Sequence, residues 1–189
     1  MTDLPLDRRQ VLVREAARLF HHKGYDRTTV RDLADAVGIL SGSLFHHFRS
    51  KEDILQAVML EASRINTEKI RAAAEAAVPT RERLFRLIRA ELEALHGETR
   101  DAMSVLFFQW RALSEDKQQP VLRLRADYES CWLKVLAAAH AEGLTALDAE
   151  LQRRLLTGSI GWTIYWYQPD GRLGLDDLAD GILRSIVRE

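Results

Sequence analysis

Cysteine is nearly missing from this chain: Cys131 is its only one. That excludes an internal disulfide and a thiolate metal cluster, and it suits a reducing compartment. Proline is scarce, with four in 189 residues, and no segment sustains a period-two alternation, so a strand-and-turn architecture is not expected. Long hydrophobic runs are also lacking. The aromatic stretch GWTIYWY falls far short of the roughly 20 residues that span a bilayer, and MTDLPLDRRQ has no apolar core of a signal peptide. A cytoplasmic protein without membrane contact is the expectation. Neither sign of charge is in excess. The net value of -1 argues against a basic coat for nucleic acid, yet residues 1–52 carry 9 Lys/Arg against 7 Asp/Glu, which permits DNA contact there without requiring it. No repeat of 20–50 residues and no low-complexity tract is present.

What is there is helical spacing almost throughout, predicting an all-α chain of about nine helices. The first, near residues 7–23, aligns Leu12, Ala16, Leu19 and Phe20 and stops at Gly24. A second starts at Thr29, where Thr29-x-x-Asp32 forms a capping-box-like signal, buries Val30, Leu33, Ala34 and Val37, and ends at Gly38. The stretch GILSGSLFHHFRSKEDIL supplies a third, and Ser50 caps a fourth that runs to about Val78. A fifth spans about 79–95, and further helices are expected near 100–113, 120–142, 147–167 and 175–188.

The third helix has an unusual outer side. At about 100° per residue, Leu40 and Phe48 project within about 40° of Leu44, while Gly42, Phe45 and His46 point away. A helix meant only for water carries Glu, Lys or Arg on that side; this one offers a glycine, flanking serines, an aromatic ring and imidazole, groups suited to close approach. With the preceding capped helix it has the layout of a helix-turn-helix, whose second helix enters the major groove. Gly42 then lets backbone near base edges, Ser41 and Ser43 exchange hydrogen bonds with base or phosphate, and Phe45 lies against a thymine methyl. His46, His47 and Lys51, and the backbone N–H groups beside Thr28 and Thr29, are the candidate phosphate contacts.

At these residues, T-x-x-D-L-A-x-x-x-G followed by S-G-S-L-F-H-H-F-x-S-K-E-x-I-L, the chain resembles the N-terminal domain of TetR-family transcriptional regulators over roughly residues 8–55. The resemblance implies a three-helix DNA-binding domain (residues 1–50), an effector-binding and dimerisation domain (51–189), and repression relieved by a small ligand. Phe45 stands where the family commonly has tyrosine, so only apolar contact is expected from it.

Beyond the head, Leu151, Leu155, Gly158, Trp162 and Trp166 share one helical face, and Leu156, Ile160, Thr163, Ile164 and Tyr167 share another. A helix apolar on two sides must be covered on both. With Leu178, Ile182 and Ile186 on the last helix, this predicts a C2 homodimer through the last two helices and hence a palindromic double-stranded DNA operator. Met103, Phe107, Phe108, Trp110, Tyr128, Trp132, Trp162 and Trp166 are candidate linings for an apolar or aromatic small-molecule effector, with core packing the alternative for each; Arg111, Arg123, Arg125 and Arg154 could reach an anionic part. W-T-x-x-W-Y-x-P-D-G-R-L is similar to a subset of TetR-like regulators of lipid and sterol-ring breakdown, which implies an acyl-CoA thioester.

No catalytic constellation is recognisable, and neither a cofactor nor a metal site is expected. His21-His22 and His46-His47 diverge by about 100° along a helix with no carboxylate at ligand spacing. His96 and His140 read as solvated, and Glu91-Leu92-Glu93 as a solvated face. A helical small-molecule binder without DNA function and a helical enzyme stay open as rivals, the first separable by salt-dependent DNA binding.

Overall fold

The computed structural model describes residues 8–188; the first-helix start expected at residue 7 lies outside them. Nine α-helices form among the described residues: α1 Arg8–His22, α2 Val30–Ala36, α3 Ser41–Leu44, α4 Lys51–Ala74, α5 Thr80–His96, α6 Arg100–Phe108, α7 Glu115–Ala141, α8 Ala149–Trp162 and α9 Leu175–Ile186. Short 3-10 turns follow α6 and α8, and among the described residues no strand forms beyond an isolated bridge between Thr145 and Val187. No described helix is long and apolar enough to cross a membrane.

Local signals set most boundaries. Gly24 and Gly38 adopt φ of 88° and 69°, the left-handed region that ends α1 and α2. Thr29 caps α2 with the expected reciprocal box: Asp32 N–H donates to Thr29 Oγ1 and Thr29 N–H donates to Asp32 Oδ2. Lys23 Nζ also reaches Asp32 Oδ2 at 2.6 Å; this contact first, then the Thr29 amide, holds the carboxyl well below the usual range. At α4, Asp53 N–H donates to Ser50 Oγ at 3.1 Å.

Five expectations about helix extent fail. α6 ends at Phe108, short of 113, and α8 ends at Trp162, short of 167. α4 ends at Ala74, not near Val78. α7 starts at Glu115 and carries Pro120 inside it, where the proline was expected to open the helix. The third helix is four residues long; beyond Leu44 the chain continues in tight turns, with the amides of Phe45, His46 and His47 bonded three residues back.

The chain divides into two compact units that do not meet at residue 50. One holds the chain up to Ser63 together with Asp101–Leu122; the other holds Arg64–Arg100 and the chain from Arg123 onward. The first unit's core gathers Leu12, Ala16, Phe20, Leu33, Leu44, Phe48, Ile54, Leu55, Val58 and Met59, which fixes the underside of α3. In the second unit α9 packs on α5, burying Ala179 and Leu183, and the inner face of α8 buries Leu156, Ile160 and Thr163.

Candidate nucleic-acid interface

Leu44 is fully buried and Phe48 is 5% exposed, so the turn-helix at 41–48 is anchored by its apolar underside. Gly42, Phe45, His46 and His47 are exposed and Ser41 and Ser43 half-buried, all on the side turned from the core. Leu40 departs from its expected place: it is 80% exposed. The reason is local. Leu40 is the N-cap, with extended φ of -72° and ψ of 142°, so a 100°-per-residue projection does not reach it. The outer surface therefore holds two apolar side chains, Leu40 and Phe45, around Gly42.

Gly42 is the informative residue here. Its backbone is not in the left-handed region, and a Cβ built on it meets nothing within 4 Å. No feature inside the molecule calls for glycine, although glycine costs up to about 1 kcal/mol against alanine in a helix.

Two candidate phosphate contacts are engaged internally. Thr28 is fully buried, its hydroxyl donating to Gly24 O at 2.8 Å and its amide to the Gly24 and Tyr25 carbonyls. It holds the α1–α2 connection and offers nothing outward. Lys51 Nζ donates to the carbonyls of Tyr25 and Thr28, both at 3.0 Å, and sits 4.2 Å from the centre of the Tyr25 ring. The sequence reading missed this staple because its partners lie more than 20 residues away. Thr29 is exposed, but its amide is taken by Asp32.

The α4 N-terminus is clamped within the same unit. Glu52 accepts from the amide and hydroxyl of Ser114, both at 2.7 Å, and Lys117 Nζ reaches Glu52 at 3.1 Å and Asp53 at 2.5 Å. Both carboxyls are held below their ordinary pKa, Glu52 chiefly by the Ser114 amide and Asp53 chiefly by Lys117.

The candidate effector residues are shared between the two units. In the first unit, Met103 is buried, Trp110 packs against the core, Arg111 is exposed, and Phe107 and Phe108 are 48% and 54% exposed. An open cleft of about 270 Å³ there is lined by Phe20, His21, Ser104, Val105, Phe108 and Gln109, and so takes only Phe108 from the expected set. In the second unit, Trp132 is fully buried under the Arg153 guanidinium, 4.5 Å from its ring. Arg153 also donates to the Tyr128 hydroxyl at 3.1 Å, to Glu91 at 3.2 Å and to Glu129 at 2.9 Å. Tyr128 and Trp132 are therefore walls of a buried ion cluster, and burial drives the Tyr128 phenol's pKa up. Glu91 is buried in that cluster and so does not belong to a solvated face, whereas the Glu93 side chain is 45% exposed and pairs at the surface with Lys69 and Arg89. His96 is also not solvated: its Nε2 lies 2.7 Å from Thr163 Oγ1, and burial lowers its pKa. Trp162 and Trp166 are 64% and 47% exposed.

On α8, Leu151, Leu155 and Gly158 continue that exposed face toward Trp162, while Leu178, Ile182 and Ile186 of α9 are half-buried. At the end of α1, the side chains of His21 and His22 converge on Asp101 of α6, a carboxylate that comes from 79 residues beyond and was invisible to a spacing rule.

Residues 12–58 match the family model described as bacterial regulatory proteins, tetR family, and residues 77–189 match the tetracyclin repressor-like C-terminal domain. The chain is 31% identical over 187 residues to the HTH-type transcriptional repressor KstR2 of Mycolicibacterium smegmatis, with 97% of this chain and 90% of that protein covered. The structure of the superantigen PfiT aligns over all of both chains with a TM-score of 0.85 and 48% identity. The ketosteroid transcriptional regulator KstR2 of Mycobacterium tuberculosis aligns over 98% of each chain, with a TM-score of 0.85 and 28% identity.

Proposed function

Since the chain belongs to the TetR family of bacterial regulatory proteins, we propose that it binds a palindromic operator as a homodimer through Ser41, Gly42, Ser43, Phe45, His46 and His47, and releases it on binding an apolar effector. It is a helix-turn-helix transcriptional repressor. The observation that carries the contact assignment is Gly42, a glycine with no internal reason to be one, at the centre of an outward surface poor in charge. A close external surface supplies the reason. Ser41 and Ser43 then meet base edges or phosphates, Phe45 meets a thymine methyl, and His46 and His47 hold phosphates. Thr29, at the start of α2, lies with the backbone-contacting elements, and Lys51 acts by holding the 25–28 loop in place.

The dimer is formed through Leu151, Leu155, Gly158 and Trp162 of α8, an apolar face that a single copy leaves to water, with the half-buried Leu178, Ile182 and Ile186 of α9. The effector is apolar or aromatic, of the acyl-CoA thioester class. The thioester class rests on the 162–173 string, and the apolar character is also supported by a relative described as a ketosteroid transcriptional regulator. Release follows from linkage: an effector that lowers operator affinity 100-fold is itself bound 100-fold more weakly by the DNA complex, a coupling of about 2.7 kcal/mol. The protein works by binding, in the cytoplasm, without catalysis.

Selecting preferred sites from a random duplex pool at low ionic strength tests the reading. One palindromic consensus is expected, and CoA thioesters of apolar acids should release the protein from it. A fold does not fix a function: if this fold served recognition of another protein, as the name of the superantigen implies for that chain, no duplex would be preferred and the reading would fall.

A further inference from the structure

We propose that His21, His22 and Asp101 form a binding site for a divalent transition-metal ion of the zinc class. His21 and His22 are the last residues of α1, and Asp101 lies in the first turn of α6, all within one compact unit. Both imidazole Nε2 atoms lie 3.9 Å from the same Asp101 Oδ1, and the three donors are within 4.8 Å of one another. Neighbouring residues on a helix ordinarily aim apart; here the rings stack edge to face at 4.6 Å and bring their nitrogens to one oxygen.

The spacing fits an ion better than direct contact. At 3.9 Å neither nitrogen makes a hydrogen bond to the carboxylate. A tetrahedral zinc site spaces its donors about 3.4 Å apart, so the two 3.9 Å edges close by shifts of about half an ångström, and the edge between the imidazoles closes from at most 4.8 Å. Two imidazoles and a carboxylate are the donor set of open, three-ligand zinc sites. The remaining position faces solvent, since the His21 and His22 side chains are 36% and 56% exposed and His21 also borders the open cleft.

An outer partner is in place as well. His21 Nδ1 lies 2.7 Å from Ser104 Oγ, which suits an Nδ1–H donor and leaves the Nε2 lone pair turned toward Asp101. Metal-bound histidines are held in their tautomer in this way. A bound ion would add a second link between the end of the first DNA-head helix and α6, beside the His21–Ser104 contact.

The test uses the full chain stripped of metal and titrated with zinc chloride by calorimetry, and with cobalt(II) as a spectroscopic probe. One ion per chain is expected, with visible cobalt bands of nitrogen and oxygen ligation. H22A and D101N should each abolish the stoichiometric step, S104A should weaken it about tenfold, and H140A, at an exposed histidine elsewhere, should leave it unchanged. His22 is exposed, so H22A keeps the fold, which its circular dichroism spectrum without metal verifies. Wild-type protein with no stoichiometric uptake, or folded H22A and D101N variants that bind zinc as wild type does, would overturn the assignment.

Discussion

At the level of single residues, Gly42 and Lys51 make opposite demands on the same head. Replacing Gly42 by alanine adds a methyl into open space on an ordinary helical backbone. G42A should raise the unfolding free energy by up to about 1 kcal/mol, while operator affinity falls because the methyl intrudes on the approached surface. Thermal unfolding and fluorescence anisotropy on one preparation read both signs, and an unchanged affinity would remove the reason given for the glycine. Lys51 behaves in the reverse sense. Its two carbonyl acceptors and the Tyr25 ring make it part of the scaffold. K51M should cost about 1–3 kcal/mol of stability, with little change in the salt dependence of DNA binding; a slope reduced in magnitude by about 1 would instead mark a direct phosphate contact. Arg153 shows what such a buried cation is worth when its partner cannot leave. With Glu91 buried beside it, R153M strands a carboxylate, and a loss of about 3–5 kcal/mol is expected.

Among the elements, what could be read in advance follows the reach of the forces that set it. The Thr29 box, the Ser50 cap and the left-handed Gly24 and Gly38 are local features set within four residues, so a string of letters specifies them, and with them the end of α1, both ends of α2 and the start of α4. The inner and outer faces of α8 were equally legible, because a regular helix turns neighbours by a fixed angle. That rule failed at Leu40, where the chain has not yet become helical, and beyond Leu44, where the helix tightens. Lys51 with Thr28, Arg153 with Glu91 and Asp101 with His21 were illegible, since each joins groups more than 20 residues apart. The clamp of Ser114 and Lys117 on the first turn of α4 is of this kind, and it makes stability depend on pH. Glu52 and Asp53 have folded pKa values below the unfolded 4.5 and 3.8, so their contribution is complete above those values and is lost as the pH drops through the lower folded ones. E52Q keeps the shape and loses the charge. Its melting temperature should be lower than wild type at pH 7 and should fall less steeply between pH 5 and pH 3; parallel curves would mean that the clamp carries no pH dependence.

For the molecule as a whole, two adjacent leucines separate folding from assembly. Leu155 is 54% exposed and Leu156 is 1% exposed, because α8 turns one toward its own unit and the other outward beside Gly158 and Trp162. If the outward face is where two copies meet, L155E places two carboxylates in or near a self-complementary surface and leaves each copy's interior untouched. Sedimentation should then report a monomer with native circular dichroism. Operator affinity should drop by about 10²–10⁴, the advantage that linking two half-site readers provides. L156E buries the same charge inside the unit, so that chain should lose its cooperative unfolding transition. Two changes one residue apart thus act on different equilibria. A dimeric, tightly bound L155E protein would mean that the exposed stripe of α8 serves something other than a second copy, and the palindrome expected of the operator would lose its structural basis.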